Sequence, residues 1–167
     1  EGTRLVFTLR HGLAGQLALG KFRLSLTTDD RLLFADGLAS RGDIVANWIP
    51  LQPLTATSAA AGTLMTINAD GTILVSGANP TTNTYTVTVI TPVTGITGFR
   101  IEALEDSSLP SNGPGRSPNG NAVLTDFSVQ AAPATLPHLL DAPFSGLVQA
   151  AMQNVNASAY VRLPFSV

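Results

Sequence analysis

Gly15-Gln16-Leu17-Ala18-Leu19-Gly20-Lys21 has the spacing of a phosphate-binding loop. Such a loop needs a strand before it, a helix after it whose first amides face the phosphates, and a Ser or Thr next to hold magnesium. Phe22 stands next instead, and Arg23-Leu24-Ser25-Leu26 continues in strand-like alternation. The segment is expected to be a hairpin loop. No Gly-x-Ser-x-Gly elbow is present for nucleophilic catalysis. His11 and His138 lie in loop-like sequence without His-x-x-x-His spacing, so both are expected at the surface, outside any metal site or triad. Glycosidase chemistry wants two carboxylates across a cleft, but the only glutamates are Glu1, Glu102 and Glu105. The last two are an odd number apart near the end of one strand, which points them to opposite faces. No catalytic residue, metal ligand or cofactor is assigned. A structural calcium would have to use Asp106 or Asp126, and no Asp-x-Asp-x-Asp series supports one.

Two short motifs are expected to be incidental. Arg41-Gly42-Asp43 matches an adhesion tripeptide, but its glycine already serves a turn. Asn156-Ala157-Ser158 matches a glycosylation acceptor immediately before a strand.

The segment Asp106 to Asn121 carries the best binding chemistry. Pro110, Pro114 and Pro118 stiffen it, while Gly113, Gly115 and Gly120 let the backbone turn tightly. Asp106, Asn112, Arg116, Asn119 and Asn121 supply acceptors and fixed donors of the kind that read hydroxyls or carboxylates. Two roles fit these side chains: contact with a ligand at the rim, or satisfaction of the backbone of a long crossing loop. Trp48, the only tryptophan, is either a sugar-stacking platform or a core anchor, and Tyr85 is expected in the core.

These residues need a scaffold, and strand signals supply it. Thr3 to Arg10 and Lys21 to Thr27 alternate apolar and polar residues and are expected to pair as a first hairpin. Residues 28–47 read as an irregular connection. Trp48 to Leu51 reads as an edge segment, because Pro50 and Pro53 cannot serve a central ladder. Thr63 to Ile67 and Thr72 to Ser76 flank Asp70-Gly71, a tight-hairpin signal. Tyr85 to Val89, Ile96 to Leu104 and Ala122 to Val129 extend the series. Leu147 to Val155 reads as a short helix, followed by a strand from Ala159 to Phe165. The expected fold is therefore all-β: an antiparallel two-sheet sandwich or jelly roll of about eight strands, with one short helix near the C-terminus. Residues 1–131 would form the module, with hairpin 1–27, connection 28–47 and main body 48–131. Residues 132–167 would supply a closing strand or begin a following module.

Composition agrees with a folded, weakly charged domain. Charged residues make up 12% and hydrophobic residues 44%, which excludes a disordered chain and a highly solvated helical surface. Eleven acidic against nine basic residues, the latter scattered from Arg4 to Arg162, exclude a nucleic-acid stripe. Cysteine is absent, and with it disulfides and thiolate metal sites. No apolar run is long enough to span a membrane. The abundance of Thr and small residues beside a single lysine, Lys21, points to an exported surface protein. Beginning at Glu1, the chain is expected to be a piece of a longer precursor whose signal peptide has been removed.

One resemblance bears on this reading. Trp48 to Pro53, Ala69 to Leu74, Gly77-Ala78-Asn79-Pro80, Thr84 to Val87, Ile96 to Leu104, and Leu109-Pro110 through Gly113-Pro114-Gly115-Arg116 to Asn119-Gly120-Asn121 carry it. Together they resemble a β-sandwich module of large exported planctomycete proteins, often accompanied by c-type cytochrome domains. Leu5 to Thr27 is similar to a part of that module expected after the loop motif, so the chain is either permuted or a slice across two modules. Phe144 to Val167 is similar to the lead-in of a further exported β domain. The resemblance implies secretion or cell-surface display and, by analogy of shape, sugar binding. The expected function is a non-catalytic carbohydrate-binding or adhesive module using Arg116, Asn112, Asn119, Asn121, Asp106 and Trp48. Its partner would be a glycan. The alternative is a structural subunit of a surface layer, sheath or filament that pairs with neighbouring copies through edge strands, with Leu5 to Leu9 and Tyr160 to Phe165 as candidates.

Overall fold

Alternation of side chains builds two antiparallel sheets whose apolar faces meet. A computed structural model gives the structure of residues 2–34 and 46–134. His138, the Arg41-Gly42-Asp43 and Asn156-Ala157-Ser158 motifs, the expected helix Leu147–Val155 and the expected strand Ala159–Phe165 lie outside those residues. The strands are β1 (Thr3–His11), β2 (Lys21–Thr27), β3 (Ile49–Pro50), β4 (Thr55–Ser58), β5 (Thr63–Ile67), β6 (Ile73–Gly77), β7 (Asn83–Thr91), β8 (Gly98–Ala103) and β9 (Asp126–Pro133). One sheet has the order β4-β7-β1-β9. The other runs β3-β2-β6-β5, with β8 on the opposite side of β2.

Each central strand buries one face. In β1, Leu5, Phe7, Leu9 and His11 point inward; in β7, Asn83, Tyr85, Val87, Val89 and Thr91 do the same. Phe22, Leu24 and Leu26 of β2, with Ile73 and Val75 of β6, come from the facing sheet. Aromatic contacts lock the two layers: Phe7 meets Phe99 edge-on at 5.2 Å, and Phe22 stacks on Tyr85 at 6.1 Å. Each such pair adds about 1 kcal/mol beyond the area it buries.

The hairpin β5–β6 forms as expected, with Thr63 opposite Gly77 and Ile67 opposite Ile73. Its turn closes through Gly71, whose φ of 79° an L side chain would resist. The expected pairing of Thr3–Arg10 with Lys21–Thr27 does not occur. Strand β1 is flanked by β7 and β9, whereas β2 sits in the other sheet beside β3, β6 and β8. The connection between them is long enough to cross the core instead of turning back. Residues 3–27 thus occupy the centre of both sheets in the same sandwich as residues 49–133. Strand β1 also has no free edge, so Leu5–Leu9 cannot accept a strand from a neighbour. That edge belongs to β9. Within the connection after β2, Arg31–Leu33 makes a single helical turn capped by the Asp30 carboxylate, which accepts from the Leu32 amide at 3.0 Å.

Candidate functional site

The polar loop between β8 and β9 first passes alongside residues 17–20. Gly115 bridges to Leu19, the Arg116 amide donates to the Ala18 carbonyl at 2.9 Å, and the Gly20 amide donates to Pro114 at 2.6 Å. Further on, the Val123 amide donates to Leu17 at 2.8 Å. The loop is therefore stitched to the segment that the phosphate-loop spacing singled out. That segment runs directly into β2 with no helix, so it cannot cradle phosphates with helix amides.

Within this frame the six expected contact residues have separate duties. Arg116 is only 8% exposed, and its two terminal nitrogens donate to the Ala78 carbonyl at 2.8 Å and the Gly77 carbonyl at 2.6 Å. Its own carbonyl accepts from the Asn79 amide group at 2.7 Å. Arg116 is a strut holding the loop to the end of β6. Asn119 turns inward through its Oδ1, which lies 2.6 Å from the Ser117 hydroxyl and accepts from the Asn121 amide at 3.2 Å. The Asn121 carbonyl lies 2.9 Å from the same hydroxyl, while its side chain is at the surface. Trp48 is half-buried; the Arg100 guanidinium lies 5.0 Å above its ring and Phe34 meets its edge at 5.4 Å. That stack covers the outer side of β2 and β8, so Trp48 presents no open platform on the face Arg100 occupies.

Asp106 and Asn112 do come together. With Lys21, Glu105 and Ser107 they line a hollow of about 350 Å³. The Lys21 ammonium lies 3.0 Å from Asp106 Oδ2, and Oδ1 accepts from the Ser108 hydroxyl at 2.7 Å and the Ser108 amide at 3.0 Å. The Ser108 hydroxyl, the Ser108 amide and Lys21, in that order, pull the Asp106 carboxyl down to about 2. It is a fixed anion at neutral pH. Both of its oxygens are engaged and an ammonium stands where calcium would sit, so the residues do not suit that ion. Asp126 lies at the start of β9, opposite Arg10. Among the described residues no group of three or more His, Asp or Glu side chains could hold a metal. Ser111 and Asn112 both have φ of 54°, a left-handed backbone that non-glycine residues adopt at a cost of about 1 kcal/mol each. The Asn112 amide donating to Leu109 and the Gly113 amide donating to Pro110 hold that turn open at the hollow's rim.

His11 corrects the sequence reading. Expected at the surface, it is the last inward residue of β1 and is 1% exposed, with its ring 4.7 Å from that of Tyr85. The signal was parity: Leu5, Phe7, Leu9 and His11 share one side of a strand that runs one residue past Arg10. No family model, curated protein or solved structure matches the chain.

The strut makes a prediction. Removing the Arg116 guanidinium takes the 2.6 Å donor from the Gly77 carbonyl and leaves the Ala78 carbonyl with the Thr63 hydroxyl alone, so Arg116→Ala is expected to lower unfolding free energy by about 2 kcal/mol. Urea denaturation checks it, and a change within 0.5 kcal/mol, roughly the surface-substitution level, would mean the carbonyls find water instead.

Proposed function

We propose that the chain is a non-catalytic binding module of a larger extracellular or cell-surface protein, recognising a hydroxyl-rich ligand such as a glycan. The observation that carries this reading is the hollow in which Lys21, Asp106 and Asn112 place an ammonium, a carboxylate and an amide around one polar cavity. Hydroxyls accept from ammonium and amide groups and donate to carboxylates such as that of Glu105 on the same wall, while Asp106 holds the ammonium in place, so this set suits a sugar face. Arg116 and Asn119 act behind it by fixing the loop. The jelly-roll form belongs to the same reading: β1 to β2 and β7 to β8 each cross from one sheet to the other, as consecutive strands of such folds do.

A glycan array on the full chain, followed by calorimetry on the best ligand, tests this. Asn112→Ala and Lys21→Met are each expected to weaken binding about tenfold or more, the worth of a hydrogen bond to a charged or fixed group. Retention of full affinity in both variants would remove the hollow from the site.

The alternative role, assembly through edge strands into a layer, sheath or filament, is favoured by one feature. Among the described residues strand β9 ends its sheet, runs for eight residues and carries a single charge, Asp126. Edges so lightly guarded can add a strand from another copy. Sedimentation over a range of concentrations reads it, and a strict monomer throughout would count against it.

A further inference from the structure

At the far end of β1 a second hollow, of about 350 Å³, is lined by Arg10, His11, Gly12, Ala59, Ala60, Thr82, Asn83 and Thr84. It shares no lining residue with the hollow around Lys21. Three features set it apart. First, Arg10 is exposed and makes no ion pair among the described residues, although Asp126 is its cross-strand neighbour. Secondly, among the described residues no carboxylate lines the hollow, so its one fixed charge is positive; Asp126 lines the adjoining hollow on the other side of Arg10 and Gly12. Thirdly, His11 at its inner edge is sealed from solvent, and neither Nδ1 nor Nε2 has a well-aligned hydrogen-bond partner, the Asn83 backbone being the one polar group close to the ring. A buried polar group without a partner costs about 1 to 3 kcal/mol, and such groups survive where something else uses them.

Neighbouring side chains are already engaged, and the one polar group close to the ring is the Asn83 backbone. Asn83, opposite His11 in the ladder, already accepts from the Ser58 hydroxyl at 3.0 Å and from the Thr84 amide at 2.8 Å. Tyr85, whose ring lies against the imidazole, sends its hydroxyl to the Leu19 carbonyl at 3.1 Å.

We propose that this hollow binds a singly charged oxyanion, a carboxylate or a phosphate, held by the Arg10 guanidinium with His11 supplying a second donor. A guanidinium matches the two-oxygen edge of either group, and the Thr82 and Thr84 hydroxyls extend a polar wall beside it. The ligand enters the hollow and the His11 ring rotates about Cβ–Cγ to present an N–H, which ends its isolation. The binding is proton-linked. Burial holds the empty-site imidazole down to about 4, with the Asn83 backbone opposing that shift, so the ring is neutral at pH 7. An anion beside it favours the charged ring, and a proton is taken up with the ligand. Among the described residues the other charged or titratable groups near His11 are few. Arg10 on β1 opposes protonation, Asp126 on β9 favours it, and Tyr85 on β7 stays neutral because burial raises its pKa. The turn at Ala59 and Ala60 carries none.

The experiment is an NMR titration of the full chain with acetate, glucuronate and inorganic phosphate in separate arms, at constant ionic strength. Saturable shifts are expected at the His11 ring and at the Gly12, Asn83 and Thr84 amides; the tightest arm tells carboxylate from phosphate. With glucuronate, ionised throughout, affinity should rise by up to about tenfold per pH unit as pH falls from 7 to 5.5. Arg10→Gln, at an exposed position that leaves the core intact, should weaken binding about tenfold or more. His11→Gln should bind with little dependence on pH. The proposal is overturned if no arm saturates, if Arg10→Gln binds as well as the parent, or if affinity is flat with pH. None of these results bears on the Lys21 hollow, which has its own variants.

Discussion

Gly115→Ala is expected to cost about 3 kcal/mol or more, among the largest effects one added methyl can have in this protein. At Gly115 the loop crosses its own returning limb, and a Cβ there would overlap the Asn121 carbonyl group and lie 2.6 Å from the Ala122 nitrogen. All of these are backbone atoms, and they cannot swing aside as a side-chain tip can. The same glycine bridges to Leu19 and its amide donates to Gly120 at 2.9 Å, so relieving the clash breaks the stitching that carries Arg116 and Asn112. Gly95→Ala is the control. Gly95 has φ of 68°, but nothing lies within 4 Å of its added Cβ, so only the left-handed backbone penalty of about 1 to 2 kcal/mol applies. Urea unfolding of the two variants should separate them clearly. Equal losses would mean that the crossing is looser than its geometry.

That crossing marks the limit of what the sequence discloses. Alternation located the strands well: the hairpin expected at Thr63–Ile67 and Thr72–Ser76 is β5 and β6 displaced by one residue at the second strand, and Tyr85–Val89 is the centre of β7. Alternation also tells which face of a strand is buried, but it is silent about the strand that lies alongside. Hence β1 and β2, both legible as strands, belong to opposite sheets although their closeness in sequence points to a hairpin. Ala122–Val129 was expected as strand, yet pairing starts only at Asp126, because Val123 and Thr125 send their amides to the Leu17 and Arg10 carbonyls. The loop's donors were legible by type but not by direction. A loop that crosses its own backbone buries polar groups: Arg116 turns inward to donate to carbonyls, while the exposed Asn119 turns its Oδ1 back to accept from the Asn121 amide and the Ser117 hydroxyl. Asn112 and Asp106 were left for the rim, joined by Lys21 from a strand start that no local signal tied to them. His11 reads as a surface residue because Gly12 and beyond look like loop, whereas the inward parity of β1 holds for one more residue.

His11 also sets the acid limit of the fold. Burial holds its pKa at about 4 against an ordinary 6.5, so the unfolded chain binds a proton that the native protein excludes between those values. With more protons on the unfolded side, stability rises with pH through that interval. The stabilising difference is complete above pH 6.5 and is lost as pH falls towards 4, about 3 kcal/mol in all. The carboxylates act in a lower window. Glu102 is depressed first by the Arg23 hydrogen bond and Asp106 by the Ser108 hydroxyl, and their contributions fade only as pH drops below the ordinary 4.5 and 3.8. A decline between pH 6.5 and 4.5 therefore reports the imidazole, ahead of these carboxylates. Denaturant titrations at half-unit steps should show it in the parent and not in His11→Phe, which keeps a ring against Tyr85 without a titrating nitrogen. The same slope in both proteins would place the acid-sensitive group elsewhere. Because an oxyanion bound beside Arg10 would raise the native His11 pKa, saturating glucuronate should flatten the parent's slope in this window, which ties the stability measurement to the site at the end of β1.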